Sequence, residues 1–326
     1  MSATAQVTHL DVPVIDVAPF IEGTPAGKRA VAAAVGRACE DIGFLTIVGH
    51  GVPQDLIERQ YSLARQFFDL PMEEKLRAVP PPGRRGGYSP FQTISLARSL
   101  GRQAPADLRE ALTYGDDFDD HPWPARPAGL RETWCKYYRA MERLSFDMLH
   151  MFALALDLPE QFFDDKVGHG PSSVTIINYP DQPEEPIPGQ LRSGEHTDWG
   201  PLTILRSEDA PGGLQVTNRF GEWVDVKTVP GAFVINVGDL LMRWTNDRWI
   251  STLHRVANPP RDKALGSRRQ SMVFFVNANN DAVITTVESC CTPERPAKYP
   301  TITAGEYLAL KMQQTRSVAA EQSPTS

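Results

Sequence analysis

From residue 172 onward the chain divides into short β-prone runs: "SVTIINY", "PLTILRS", "GLQVTN", "EWVDVKT", "AFVINVG", "STLHRV", "RQSMVFFVNAN" and "VITTV". They are rich in Val, Ile, Thr and Phe and separated by turn residues, the pattern of strands. Eight such runs in succession point to a sandwich or jelly roll. No other feature narrows the fold as far.

The first half reads differently. "VPVIDVAPF" alternates as a strand ended by a turn, and "KRAVAAAVGRACEDIGF" has helical spacing from near Gly27 until the glycine after Ile42. "FLTIVGHG" follows as a buried strand, and "PQDLIERQYSLARQFFDLP" as a helix with proline in its first turn and a stop at Pro71. Residues 78–91, "AVPPPGRRGGYSPF", are too dense in Pro and Gly for regular structure and read as a loop, expected to move when substrate binds. Residues 129–157 carry the longest helical periodicity. The class is therefore α+β. The expected organisation is a tail over 1–10, an N-terminal α/β region over 11–125 and a long supporting helix with its connection over 126–170. A β core over 171–285, a C-terminal helical segment over 286–315 and a disordered tail over 316–326 complete it.

A chain of 326 residues buries a sizeable core without staples, so its four cysteines are expected to be reduced structural thiols. The net charge of −7 and the lack of a basic stripe argue against a nucleic-acid partner. No apolar run reaches membrane-spanning length and no signal-type leader opens the chain, so no membrane partner and a cytoplasmic location are expected. Oligomeric state leaves no trace in the sequence.

The chemistry centres on "SGEHTDWGPLTILR", residues 193–206. Side chains alternate along a strand, so His196 and Asp198 would project to one face. His254, in "STLHRV", is the other histidine in a β-run of this half. Two histidines and a carboxylate on one face of a metal form the triad of non-haem Fe(II) oxygenases. Taken alone, an HxD recurs by chance, and either histidine alone is more often structural. In "SRRQSMVFFVN", however, Arg269 and Ser271 share a strand face while Arg268 points away, a pairing that grips a carboxylate.

Together these motifs resemble the isopenicillin N synthase-like 2-oxoglutarate/Fe(II)-dependent dioxygenases. The resemblance covers nearly the whole chain, through "VPVIDVAPF", "ACEDIGFLTIVGHGVP", "FFDLPMEEKLRA", "GY" at 87–88, "NYP", "HTDWGPLTIL", "GGLQV", "VINVGDLLMRWTNDRW", "STLHRV" and "RQSMVFF". It implies a distorted double-stranded β-helix, or jelly roll, with supporting N-terminal helices and Fe(II) held by His196, Asp198 and His254. It also implies that Arg269 and Ser271 bind the distal carboxylate of 2-oxoglutarate with Tyr179 nearby, the RxS spacing selecting Arg269 over Arg268.

The reaction implied is hydroxylation, desaturation or cyclisation of a small molecule of secondary or specialised metabolism. O₂ is consumed, succinate and CO₂ are co-products, and ascorbate is stimulatory. An aspartate in the triad fills the position that related halogenases leave to chloride, which argues against halogenation. "TIINYP" lacks the arginines that cephalosporin-forming relatives use on penicillins, so a penicillin is not implied. Candidate substrate contacts are Arg84, Tyr88 and Phe91 in the 78–93 loop and Phe275 on the strand after the RxS pair. Ordinary core is an equal reading for Phe275, and a solvated turn for Arg84. Two other classes stay open: a 2-oxoglutarate-independent Fe(II) oxidase, and a metal-free jelly-roll binding module.

Overall fold

The computed structural model describes residues 11–84, 86–118 and 121–320, with the backbone alone over 314–320. Twelve strands form two sheets. In chain order they are β1 (Val14–Asp16), β2 (Phe44–Val48), β3 (Gly87–Ser89), β4 (Glu110–Tyr114), β5 (Ser173–Tyr179) and β6 (Ser193–His196). There follow β7 (Leu202–Ser207), β8 (Leu214–Thr217), β9 (Trp223–Asp225), β10 (Phe233–Val237), β11 (His254–Val256) and β12 (Arg269–Val276). The large sheet has the order β1-β2-β10-β7-β12-β5-β4-β3 and the small one β6-β11-β8-β9. Residues of both sheets line one cavity of about 770 Å³. This is a distorted double-stranded β-helix.

Period-two alternation gives the large sheet two different faces. Leu112, Ile176, Ile204 and Phe274 are buried on one side against the helices. Ala111, Ile177, Val273 and Phe275, the chain neighbours of Leu112, Ile176 and Phe274, turn to the cavity. The helix Leu130–Ala155 covers the first face with Trp134, Tyr137, Met141, Leu144, Met148 and Phe152, all buried and spaced three or four apart. Each such side chain contributes about 1.5–3 kcal/mol by leaving water. Thr24 caps the helix Pro25–Asp41 through its hydroxyl, which accepts from Gly27 N–H at 3.1 Å. Gly43 ends that helix at φ +68, where a Cβ would come within 2.0 Å of the Ile250 carbonyl oxygen. The stop is thus a packing requirement as well as a turn.

Several expectations need correction. The turn after β1 is a short helix, Ala18–Ile21, because Pro19 suits its first turn. Within the Pro/Gly-rich loop, Gly87–Ser89 pairs antiparallel with β4 and so belongs to the sheet. The helix expected within 286–315 begins only at Ala304 and runs to Ala320, into the expected tail. Residues 1–10 and 321–326, the rest of the expected tails, lie outside the described residues. None of the four cysteines is in a disulfide. Among the described residues no helix is long and apolar enough to cross a membrane.

Candidate active site

β6 and β11 run antiparallel with His196 directly opposite His254. Their ring centroids are 4.2 Å apart. The Nδ1 of His196 donates to the Gly194 carbonyl at 2.8 Å and that of His254 to the Thr252 carbonyl at 3.0 Å. Because a carbonyl only accepts, both Nδ1 atoms donate, which leaves the two Nε2 atoms facing the site as the candidate ligand atoms. The ring of Phe44 packs edge-on against His254 with centroids 5.4 Å apart, which fixes that imidazole further.

Asp198 completes the group, though not by strand alternation. β6 ends at His196, and Asp198 reaches the site from the turn that follows. The Asp239 N–H donates to the Asp198 carbonyl at 2.7 Å. That turn packs so tightly that a Cβ on Gly238 would lie 2.1 Å from the Gly200 carbonyl oxygen. Oδ2 of Asp198 accepts from Thr203 Oγ1 at 2.6 Å and from Asn236 Nδ2 at 2.8 Å. Oδ1 lies 3.8 Å from each histidine Nε2. The three ligand atoms fall within 4.8 Å of one another, and among the described residues this is the one such group of metal-binding side chains. Burial alone would raise the Asp198 carboxyl, but the two imidazoles and the two hydrogen bonds outweigh it and hold the pKa below the usual range. Burial, and then the charge of His254, push His196 down to about 3, so it is a neutral imidazole near pH 7.

The cavity floor follows from register. On β12, Arg269, Ser271, Val273 and Phe275 face the cavity, and on β5 so do Tyr179, Ile177, Thr175 and Ser173, their cross-strand partners in that order. Arg269 is 3% exposed. Its guanidinium donates to Ser207 Oγ at 2.5 Å and to the Gly212 carbonyl at 3.3 Å, while Nε has no partner. Burial lowers its pKa, against the pull of Tyr179, Tyr61 and Glu208. Tyr179 exchanges a 3.2 Å hydrogen bond with Ser193, the first residue of β6. Arg268 faces the other way and binds Asn178 Oδ1 at 3.1 Å and Asp69 at 2.5 Å.

Of the candidate substrate contacts, Phe275 lines the cavity. Tyr88 does not: it is buried on the core face, where its hydroxyl donates to Glu110 Oε2 at 2.5 Å, and its neighbours Gly86 and Ser89 reach the cavity instead. Lys75 and Glu110, a buried ion pair at 2.8 Å, draw that hydroxyl away from the site. Phe91 and Arg84 are exposed and are not among the lining residues.

Two arginines were not singled out from the sequence. Arg192 is fully buried behind Tyr179 and donates to the carbonyls of Pro211, Pro180 and Ser267. Burial and the charge of Arg269 bring its pKa down to about 10. Arg109 lines the cavity itself. Its signal was the alternation of "REALTYG", in which 109, 111, 113 and 115 face the cavity and 110, 112 and 114 the core.

Two family models match the chain: "non-haem dioxygenase in morphine synthesis N-terminal" over residues 12–136 and "2OG-Fe(II) oxygenase superfamily" over 171–278. The "2-oxoglutarate-Fe(II) type oxidoreductase hxnY" of Emericella nidulans is 35% identical over 310 residues, 89% of this chain and 86% of that protein. A "homoarginine-6-hydroxylase" of Arabidopsis thaliana is 32% identical over 85% of this chain and 80% of its own length. A full-length Neurospora crassa protein, crystallised in complex with alpha-KG and thymine, matches with a TM-score of 0.83 at 30% identity, covering 97% of this chain and 99% of that one.

Proposed function

The chain belongs to the 2-oxoglutarate/Fe(II)-dependent oxygenases, and on that premise we propose that His196, Asp198 and His254 hold the iron while Arg269, Ser271 and Tyr179 hold 2-oxoglutarate. The observation that carries the metal assignment is the division of labour in the triad. Each residue spends one polar atom on the scaffold and keeps the other free, with Asp198 Oδ1 3.8 Å from both Nε2 atoms. Two imidazoles and one carboxylate are the donor set that Fe(II) takes while leaving positions for substrates.

When bound, Fe(II) with 2-oxoglutarate and O₂ supplies oxidation of a C–H group, with succinate and CO₂ as co-products. The protein's part is orientation and exclusion of water. Arg269 supports the cosubstrate assignment because it is a buried guanidinium with an unpartnered Nε at the cavity wall, where a carboxylate would accept from it. Ser271 stands on the same strand face two residues away, and Tyr179 is the cross-strand neighbour of Arg269.

The prime substrate on this reading is a small molecule of specialised metabolism, hydroxylated, desaturated or cyclised in the cavity, with ascorbate stimulating turnover. A cavity of about 770 Å³ has the size of small-molecule sites. Ala111, Ile177, Val273 and Phe275 give its floor an apolar character. Phe275 is placed to contact the substrate. Neither a nucleic acid nor a membrane enters this reading, and the expected compartment is the cytoplasm. The test is anaerobic addition of 2-oxoglutarate to the Fe(II)-loaded protein. The visible charge-transfer band of the chelate forms if the reading holds, and its absence with iron bound would refute the cosubstrate assignment.

A further inference from the structure

Arg109 stands just before β4, and its side chain is 10% exposed. It lines the cavity, yet among the described residues its guanidinium makes no hydrogen bond, and its buried Nε is held only in an ion pair, beyond hydrogen-bonding distance. The nearest carboxylate, Asp107 Oδ2, is 3.6 Å away. Asp107 is committed elsewhere, since it accepts from Leu96 N–H at 3.1 Å and from Gly194 N–H at 3.0 Å. Its work is to clamp the chain beside β6, two residues before His196. A guanidinium presents five donors, and a buried one that has a distant counter-ion but no hydrogen bond leaves them costly to keep. Its being held at a cavity wall calls for an acceptor from outside the chain.

The register separates this cation from Arg269. Glu110 pairs with Asn178, so Arg109 falls beside Tyr179 on the flank of β5 opposite Arg269. Two strand spacings, about 10 Å, divide the two backbones. On the core face Glu110 is tied to Lys75, Tyr88 and Asn178, which holds this strand in place. The same cavity takes apolar lining from Ile94 and Leu96, in the segment that Asp107 pins, and from Leu308 and Met312 of the C-terminal helix.

We infer that Arg109 is a specificity-determining residue that grips a carboxylate or similar oxyanion of the prime substrate near the metal, so that the enzyme selects an acidic molecule with an apolar body. The inference rests on the proposed iron and 2-oxoglutarate assignments. The same chemistry could come from 2-oxoglutarate itself, and the experiment separates the two sources.

The Fe(II)- and 2-oxoglutarate-loaded protein is titrated anaerobically, by calorimetry, with hexanoate and phenylacetate and with their amides, hexanamide and phenylacetamide. Wild type and Arg109→Lys should bind an acid at least about tenfold more tightly than its amide, as expected for a charge-assisted contact of about 1.4 kcal/mol or more. In Arg109→Gln the ratio should fall near one while the 2-oxoglutarate charge-transfer titration stays at its wild-type midpoint. That unchanged midpoint also shows that the variant is folded. Lack of acid preference in wild type, absent binding included, overturns the inference, as does a preference that survives in Arg109→Gln. A loss of 2-oxoglutarate affinity in Arg109→Gln with the probes unaffected assigns the guanidinium to the cosubstrate instead. If the wild-type band never forms, the underlying assignments fail, a result distinct from all of these.

Discussion

Thr203 and Asn236 are cross-strand partners on β7 and β10, and both donate to the same oxygen, Oδ2 of Asp198. The pairing leaves Oδ1 turned toward the two imidazoles. Removing either donor would let the carboxylate rotate without removing a ligand. Asn236→Ala and Thr203→Val should each weaken Fe(II) binding by roughly 10- to 100-fold, the usual cost of losing a group that orients a ligand. His254→Ala, which removes a ligand, should lose more. Metal titration of the folded variants checks this, and wild-type affinity in Asn236→Ala would show that the carboxylate is oriented by something else.

The ion pair between Lys75 and Glu110 is buried, each side chain 8% exposed, and Tyr88 and Asn178 complete the shell around the carboxylate. Lys75→Met should cost about 3–5 kcal/mol, because it leaves a buried charge without its counter-ion. Lys75→Met combined with Glu110→Gln should recover part of that. Chemical denaturation of the metal-free protein measures both.

Metal-free protein should also lose stability as the pH falls from about 6.5 toward about 3. His196, held down to about 3 by burial and by the charge of His254, stays neutral in the folded chain, whereas the unfolded chain takes up a proton from about 6.5 downward. The unfolded state therefore binds more protons across that window, so stability is present above it and declines within it. In His196→Gln the decline should be shallower by up to about 1.4 kcal/mol per pH unit. Equal slopes in the two proteins would mean that His196 is not the group taking up the proton.

How much of this was legible in the sequence depended on the length of each element. β12 is eight residues long, so its period-two pattern is enough to place Arg269 and Ser271 on one face. The same rule failed for Asp198, because β6 is only four residues long and stops at His196. There the turn, not the pleat, aims the carboxylate. Tyr88 reads as a loop aromatic beside two glycines, and its burial depends on Glu110, 22 residues away. Arg192 resembles a surface cation because nothing local marks it as buried, and Arg109 is marked only by the short alternation of "REALTYG". The partners that bury them, Asp107 with Gly194 and Ser267 with Pro211, come together only when the sheets close.

The central claim is the chemistry at Arg269, and titration of 2-oxoglutarate into the anaerobic Fe(II) protein tests it most directly. Losing one partner of a desolvated charge pair costs about 2–5 kcal/mol, so Arg269→Gln should weaken 2-oxoglutarate binding roughly 30-fold or more while the iron content holds. Arg268→Gln, whose guanidinium binds Asn178 and Asp69 on the opposite face, should titrate like wild type. The claim is contradicted if the two variants exchange behaviour, or if Arg269→Gln binds 2-oxoglutarate as wild type does.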